Sequence, residues 1–322
     1  MPAYRRERIE TPDGDFLDLD WVEGRKPAQT APAPRAFGAS PWPLEAATDR
    51  SNEVPLVVLF HGLEGSSRSH YARALMQAVA ARNWHGVVVH FRGCSGEPNR
   101  LPRAYHSGDS AEIGWVLERL SQQHEAIHAV GVSLGGNALL KYLGEQGGPA
   151  RPRSAVAISV PYDLAAANQM LSRGMGLLYS RHFLQSLVPG ALAKARRFPG
   201  HAGLTRLDAI RAARTLRDFD EAVTAPLHGF NGADDYYSRS SCRQYLPGID
   251  VPTLLLHAAN DPFLPATALP APATLPDHVK LELSAYGGHV GFVSGPPPGR
   301  LDWLPQRVLA HLGLYSGNYQ VA

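Results

Sequence analysis

The sequence contains little cysteine and no excess of charge of either sign. Only Cys94 and Cys242 occur among the 322 residues, too few for a disulfide framework, and no CxxC or Cys/His cluster suggests zinc. Lysine and arginine number 31 against 29 aspartates and glutamates, and no basic run resembles a nucleic-acid footprint. We therefore expect two reduced thiols with packing roles, no metal, no cofactor and no nucleic-acid partner.

Long hydrophobic runs are missing as well. Apolar stretches such as Leu56–Phe60 are far too short to span a bilayer, and no apolar segment follows the charged residues 1–8. With 44% hydrophobic and 19% charged residues, the composition is that of a globular protein with a large core. The sequence thus predicts a cytoplasmic protein without a transmembrane segment, in which an amphipathic cap could make peripheral membrane contact.

The first 53 residues predict a hairpin followed by a loop. Two alternating segments within residues 5–22 flank the sequence TPDG at residues 11–14, whose Asp-Gly pair suits a tight turn. Residues 26–53 are rich in proline, alanine and serine and show no sustained periodicity. We therefore predict that residues 1–53 add an antiparallel hairpin and a Pro-rich loop to the domain that follows.

From residue 54, short apolar runs alternate with amphipathic helical stretches. This alternation is typical of an α/β fold in which crossover helices join the strands of a mostly parallel sheet. The predicted strands are residues 54–60, 86–91, 127–132, 154–160, 251–258 and 279–283. The predicted helices are residues 69–82, 107–123, 134–146 and 302–312.

The interval 163–250 interrupts the alternation, because it is much longer than the other intervals between strands. Its apolar residues recur at helical spacing: Met170, Leu171, Met175, Leu177, Leu178, Tyr179, Phe183, Leu184 and Leu187. We predict a core domain formed by residues 54–162 and 251–322, with residues 163–250 as a mostly helical cap. Such a cap would cover the carboxyl edge of the sheet, where ligands bind in open α/β sheets.

The segment 131–136, GVSLGG, contains the Gly-x-Ser-x-Gly pattern of a nucleophile at a sharp strand-to-helix turn. A β-type run leads into the segment and a helix-type run leads out of it. Gly131 and Gly135 remove β-carbons that would collide across the turn. Free N–H groups at the helix N-terminus favour negative charge beside the Ser133 hydroxyl. Ser133 is therefore predicted to be the nucleophile of a serine hydrolase with an α/β-hydrolase fold, the alternative being an incidental serine.

A serine hydroxyl needs a histidine to take its proton, and that histidine needs an orienting carboxylate. His289 lies in the segment 287–291, GGHVG, between the last predicted strand and the last helix. The glycines let this loop bring the imidazole over the nucleophile, so we predict His289 as the base. Other histidines C-terminal to the nucleophile are weaker candidates because they fall in the cap, in strands or in the last helix: His182, His201, His228, His257, His278 and His311.

Two aspartates compete for the role of the orienting acid. Asp261 follows a predicted strand and precedes Pro262, which restrains the turn. A carboxylate at such a strand tip can reach the imidazole of His289. Asp163 follows another predicted strand and could also reach it. The chain order Ser, acid, His is met by both, and the position favours Asp261.

Catalysis would also need two N–H groups directed at the carbonyl oxygen as it gains charge. One is the backbone N–H of Leu134, directly after the nucleophile. The second is expected from the loop HGLEG that follows the strand at 54–60, with Leu63 as the donor and Gly62 in support. His61 begins this loop and is predicted to brace it by hydrogen bonding, with a role as catalytic base as the weaker alternative.

Several longer motifs resemble those of the YheT-type α/β-hydrolases. They are GVSLGGN from residue 131, HGLEGS from 61, HFRGCSGEPNR from 90, YHSG from 105, APLHGF from 225, DYY from 235 and GGHVGF from 287. The resemblance implies a hydrolase of carboxylic esters, with Ser133, Asp261 and His289 at the matching triad positions. Eukaryotic relatives in the wider family further imply lipid esters as substrates.

Three hypotheses for function follow. The first is a serine esterase or lipase-like hydrolase, in which water cleaves an acyl-enzyme and an apolar cap favours medium or long acyl chains or simple lipids. The second is an acyltransferase that uses the same triad with an alcohol in place of water. The third is a non-catalytic ligand-binding protein, for which an intact Ser/Asp/His set would serve no chemical need.

Overall fold

The computed structural model describes residues 2–24, 54–145 and 151–316. Its strands are β1 Arg5–Glu10, β2 Phe16–Val22, β3 Leu56–Phe60, β4 His85–His90, β5 Ile127–Val132, β6 Ser154–Ile158, β7 Thr253–Ala258 and β8 Val279–Ser284. They form one sheet in the order β1-β2-β4-β3-β5-β6-β7-β8. All pairs from β4 to β8 are parallel, which confirms the predicted α/β class and its mostly parallel sheet.

The helices are α1 His70–Ala81, α2 Ser110–Ser121, α3 Leu134–Gly144, α4 Leu164–Leu171, α5 Gly176–Arg197, α6 Leu207–Ala212, α7 Leu216–Phe219, α8 Ala225–Leu227, α9 Ala233–Ser240 and α10 Trp303–Gly313. Helices α1 and α10 bury apolar side chains on one face of the sheet, and α2 and α3 on the other. The parallel strands are thus buried on both sides, which explains their continuous apolar sequences.

The predicted N-terminal hairpin is confirmed. Strands β1 and β2 pair antiparallel around the turn at residues 11–14, where Gly14 takes a φ of 83° that glycine adopts without strain. Strand β2 also pairs antiparallel with β4 and so joins the hairpin to the main sheet. The Pro-rich loop predicted at residues 26–53 lies outside the described residues.

Strand β2 is buried although it contains two aspartates, because the carboxylate of each aspartate is paired with other side chains. Asp18 and Asp20 stand opposite Arg8 and Arg6 in the β1–β2 register, and each arginine pairs with the aspartate opposite it. Asp20 also accepts a hydrogen bond from Ser67 and lies 2.9 Å from the His90 ring. These partners hold the pKa of Asp20 well below its usual range, against the opposing effect of burial.

The ends of some elements differ from the prediction. The strand predicted at 154–160 ends at Ile158, because Ser159 turns out of the strand with a φ of 50°. The helix predicted at 107–123 begins at Ser110, because Asp109 before it takes a non-helical ψ of 58°. Apolar periodicity carries no information about either constraint.

Between β6 and β7 the chain is helical, from α4 to α9. Its apolar side chains form a cluster separate from those on the two faces of the sheet: Leu171, Leu184, Ala191, Ala195, Leu204, Ile210, Ala213, Leu216, Phe219, Ala222 and Val223, joined by Phe263 from the loop after β7. Helix α7 continues into a π-helical turn, Asp220–Thr224, that leads into α8. Within the ranges that the structure describes, none of the helices has both the length and the apolarity needed to cross a membrane.

Candidate active site

Ser133 occupies a strained turn between β5 and α3. Its φ of 51° is in the left-handed region, which a residue with a β-carbon adopts only when its surroundings impose it. A β-carbon on Gly131 would lie 2.5 Å from the Cα of Gly136, and one on Gly135 would collide with the carbonyl oxygen of Phe60. The two glycines therefore let the turn close tightly and present the serine at the carboxyl edge of the sheet.

His289 joins Ser133 to Asp261. The Nε2 atom of His289 lies 3.0 Å from Oγ of Ser133, and its Nδ1 atom lies 3.0 and 3.2 Å from the two carboxylate oxygens of Asp261. Only 1% of the Asp261 side chain is exposed, against 17% for His289. The carboxylate is thus shielded from water, while the imidazole is accessible beside the serine.

The loop that carries His289 is held by side chains from two other strand ends. The Asn260 side-chain oxygen accepts hydrogen bonds from the N–H groups of Gly287 and Gly288, at 3.0 and 2.9 Å. The hydroxyl of Ser159 accepts another from the N–H of Val290, at 3.2 Å. Sequence reasoning missed both residues: Asn260 follows the strand predicted at 251–258, whereas Ser159 falls within the strand predicted at 154–160 and follows β6 only in the structure.

Phe263 and His257 surround the pair formed by Asp261 and His289. The Phe263 ring stacks on the imidazole of His289, with 4.0 Å between the ring centroids. The backbone N–H of Phe263 donates a hydrogen bond to Asp261 at 2.9 Å. His257 is buried in β7, as expected, but its Nε2 lies 3.8 Å from the same carboxylate. Phe263 therefore limits the imidazole to one plane, a role that no local sequence pattern signals.

The structure places the rival acid elsewhere. Asp163 is the N-cap of α4, where its side chain accepts a hydrogen bond from the N–H of Ala166 at 3.0 Å. No hydrogen bond or ion pair joins Asp163 to His289 in the described part of the chain. Its position after a strand reflects the start of the next helix, a common reason for an aspartate there.

Both predicted oxyanion donors lie beside the serine. Leu63 and Leu134 line the same cavity as Ser133, and Leu134 is the first residue of α3, where N–H groups have no acceptor within the helix. A β-carbon on Gly62 would lie 3.3 Å from that of Ser133. The Gly62 N–H donates to the hydroxyl of Tyr71, at 2.9 Å, and this anchor was not foreseen from the sequence.

His61 is buried, and its two ring nitrogens contact the loop on one side and the residue after β4 on the other. The Phe91 N–H donates to Nε2 at 3.1 Å, so the ring proton lies on Nδ1, which is 2.8 Å from the Gly62 carbonyl oxygen. Burial lowers the pKa of His61 to about 3. His61 is therefore a neutral brace of the loop in this structure and lies outside the hydrogen bonds of Ser133.

A cavity of about 550 Å³ opens above Ser133 and His289. Its volume lies within the usual range for sites that bind small organic molecules. More than half of its lining residues lie between β6 and β7, and the apolar ones among them include Leu164, Leu171, Phe183, Leu187, Ala191, Leu204, Leu216, Phe219, Val223 and Leu227. The arrangement places the hydroxyl of Ser133 and the imidazole of His289 beside a mostly apolar space.

Polar groups outside the predicted triad and oxyanion hole also line the cavity. The rings of His106 and His228 lie 4.5 Å apart, and burial lowers the pKa of each to about 3. Burial raises the pKa of Asp220 to about 6 and lowers that of Lys194 to about 8. These four residues are far apart in sequence, so only the tertiary fold brings them to one cavity.

Comparisons with known proteins place the chain in a family. Residues 55–296 match the family model described as alpha/beta hydrolase fold. The chain is 39% identical over 311 residues to YheT of Escherichia coli (strain K12), a candidate esterase by its name, covering 96% of this chain and 84% of that protein. It is 29% identical over 304 residues to phospholipase ABHD3 of Mus musculus, covering 94% and 69%. It is 30% identical over 263 residues to monoacylglycerol lipase of Saccharomyces cerevisiae, covering 78% and 57%.

Solved structures show the same fold. The Pyrococcus furiosus esterase Pf2001 aligns with a TM-score of 0.57 at 15% identity, covering 98% of this chain and 92% of that one. Est1E from Butyrivibrio proteoclasticus, bound to ferulic acid, aligns with a TM-score of 0.56 at 12% identity, covering 98% and 100%. The sheet, its helices and the family match define a carboxylic ester hydrolase with an α/β-hydrolase fold. The chain belongs to the YheT-type α/β-hydrolases, as the motifs predicted.

Proposed function

We propose that the chain hydrolyses esters through a triad of Ser133, His289 and Asp261. The observation that carries this proposal is the continuous set of hydrogen bonds from Oγ of Ser133 through the imidazole to the buried carboxylate. In this mechanism Nε2 of His289 takes the serine proton as Oγ attacks the ester carbonyl carbon. Asp261 accepts the Nδ1 proton in a hydrogen bond, which fixes the tautomer and stabilises the imidazolium.

The tetrahedral intermediate carries a negatively charged oxygen, which needs hydrogen-bond donors to stabilise it. We assign this role to the N–H groups of Leu63 and Leu134, which the dipole of α3 supports. Collapse of the intermediate breaks the ester C–O bond, and the imidazolium of His289 gives its proton to the leaving alcohol. Water, deprotonated by the same imidazole, then attacks the acyl-enzyme and releases the carboxylic acid and free Ser133.

The preferred substrate in this proposal is an ester with a medium or long acyl chain or a simple lipid. The apolar wall formed between β6 and β7 supports it, because an acyl chain gains free energy in proportion to the apolar area it buries. Relatives named phospholipase and monoacylglycerol lipase act on lipids by their names and point the same way. Residues 163–250 serve in this proposal as the cap that supplies the acyl site.

The test combines covalent labelling with turnover. We expect a fluorophosphonate probe to label the wild type but not Ser133→Ala, and p-nitrophenyl ester turnover to fall by about 10⁵-fold or more in that variant. Ser121→Ala, at an exposed serine that ends α2, is the matched control and should behave as the wild type. Equal labelling or turnover in Ser133→Ala would refute the proposal. Adding an alcohol as competing acceptor distinguishes hydrolysis from acyl transfer.

A further inference from the structure

An exposed apolar face begins helix α5. Met175, Leu178 and Tyr179 are 70%, 53% and 41% exposed, unusually high values for large apolar side chains. Their spacing of three and four residues places them on one side of the helix, just after the exposed Arg173 and beside the exposed Arg181. We call these five residues the α5 face.

The α5 face lies next to the catalytic histidine. The ring of Tyr179 packs against Phe263 with centroids 4.8 Å apart, and Phe263 in turn stacks on His289 at 4.0 Å. The loop that carries His289 also exposes Tyr286 and Val293, at 80% and 61%. Exposed apolar side chains therefore occur both on the α5 face and on the loop that carries His289, the histidine that the proposed function requires.

The charge around the α5 face is one-sided. Between residues 164 and 207 the sequence contains no aspartate or glutamate but six cations: Arg173, Arg181, Lys194, Arg196, Arg197 and Arg206. Over the whole chain the two signs are nearly balanced, at 31 to 29. Within the part of the chain that the structure describes, Arg173 and Arg181 form no ion pair with a carboxylate. The α5 face thus combines exposed apolar side chains with unneutralised positive charge.

We propose that the α5 face docks on an anionic lipid surface. Met175, Leu178 and Tyr179 enter the boundary between headgroups and acyl chains, and Arg173 and Arg181 meet the lipid phosphates. This inference rests on the proposed function, because it supplies the route by which a lipid ester reaches the cavity without crossing water. The charge and the position beside His289 single out lipid over an acidic protein, which would need no access to the active site.

Binding of the full chain to vesicles tests the proposal. We expect flotation with vesicles of equimolar phosphatidylcholine and phosphatidylglycerol, little with phosphatidylcholine alone, and weaker binding as salt increases. Arg181→Ser and Leu178→Ser should each lower the partition coefficient by about fivefold, which is the effect of one charge or one partly inserted side chain. Arg119→Ser and Leu314→Ser, at exposed residues of α2 and the end of α10, are matched controls and should bind as the wild type.

Turnover of a soluble ester distinguishes a failure of this proposal from a failure of the proposed triad. All four variants should hydrolyse p-nitrophenyl butyrate at the wild-type rate, while Ser133→Ala should bind vesicles normally and hydrolyse nothing. The proposal is overturned if the wild type does not float with anionic vesicles, or if Leu314→Ser loses as much binding as Leu178→Ser. A dimer in light scattering that Leu178→Ser dissociates would also overturn it, by assigning the α5 face to a second copy of the chain.

Discussion

Backbone strain at single residues is concentrated around the nucleophile. Ser133, Ser159 and Val290 have φ values of 51°, 50° and 67°, although none of them is glycine. Each strained residue is held by a contact of the site: Ser133 by the turn before α3, and Ser159 and Val290 by their hydrogen bond to each other. Strain of this kind persists only where the surrounding fold imposes it, and here it occurs at Ser133 and beside His289, two members of the proposed triad.

The acid of the triad can be tested by two matched aspartates. Asp261→Asn should lower kcat by about 10⁴-fold, because an amide no longer favours the imidazole tautomer that accepts the serine proton. Asp163→Asn should leave kcat unchanged, since asparagine also caps a helix. The kcat of each variant is measured from initial rates on the same p-nitrophenyl ester. A larger loss in Asp163→Asn would reverse the assignment.

At the scale of whole elements, the helices between β6 and β7 form a large part of the cavity wall. Helix α5 lines it with Phe183, Leu187 and Ala191, and the segment from α7 through the π-helical turn lines it with Phe219 and Val223. The strand ends carry the proposed triad, whereas these helices supply much of the apolar wall. Changes on the helices should therefore alter which ester is accepted and leave the chemical step intact.

Ala191→Phe tests this division between the sheet and the helices. Ala191 is buried on α5 and faces the cavity, so a phenyl ring there should occupy space needed by a long acyl chain. We expect kcat/KM to fall about tenfold or more for a dodecanoyl ester and to change little for a butanoyl ester. Gln185→Phe, at an exposed position of the same helix, is the control. An equal loss for both esters would contradict the assignment of the acyl site.

Buried histidines make the stability of the whole molecule depend on pH. Burial lowers the pKa of His61, His106 and His228 to about 3 and that of His128 and His311 to about 4. In the unfolded chain a histidine takes up a proton near its ordinary pKa of about 6.5. The folded protein therefore binds fewer protons than the unfolded chain between these values, and its stability falls as the pH falls.

Acid should therefore destabilise the fold well above the range in which carboxylates titrate. The contribution of these histidines is fully present above about pH 6.5 and is lost progressively toward pH 4, by up to about 1.4 kcal/mol per pH unit for each one. Urea unfolding followed by circular dichroism at several pH values measures the loss. His128→Asn should reduce the slope, whereas His182→Asn, at an exposed position, should not. A free energy of unfolding that is constant from about pH 7 to 5 would contradict this prediction.

The sequence by itself determined the sheet and the elements that carry the catalytic groups. Strand β5 was predicted at its observed bounds, Ile127–Val132, and α3 follows directly because Gly131 and Gly135 leave room for the tight turn at Ser133. His289 and Asp261 were predicted as base and acid because each lies in a short loop next to a predicted strand, a pattern that can be read locally. Such features depend on neighbours within a few residues, so one chain suffices to read them.

Only the tertiary structure decided which side chains meet across the fold. It placed Asp261 against His289 and used Asp163 to begin α4, although both aspartates follow strands. It also brought Phe263 onto the imidazole and Lys194 into the cavity wall. The contacts of Asp261, Phe263 and Lys194 join residues far apart in the chain, whereas the cap formed by Asp163 is local. The packing of helices on the sheet that creates the long-range contacts has no counterpart in local periodicity.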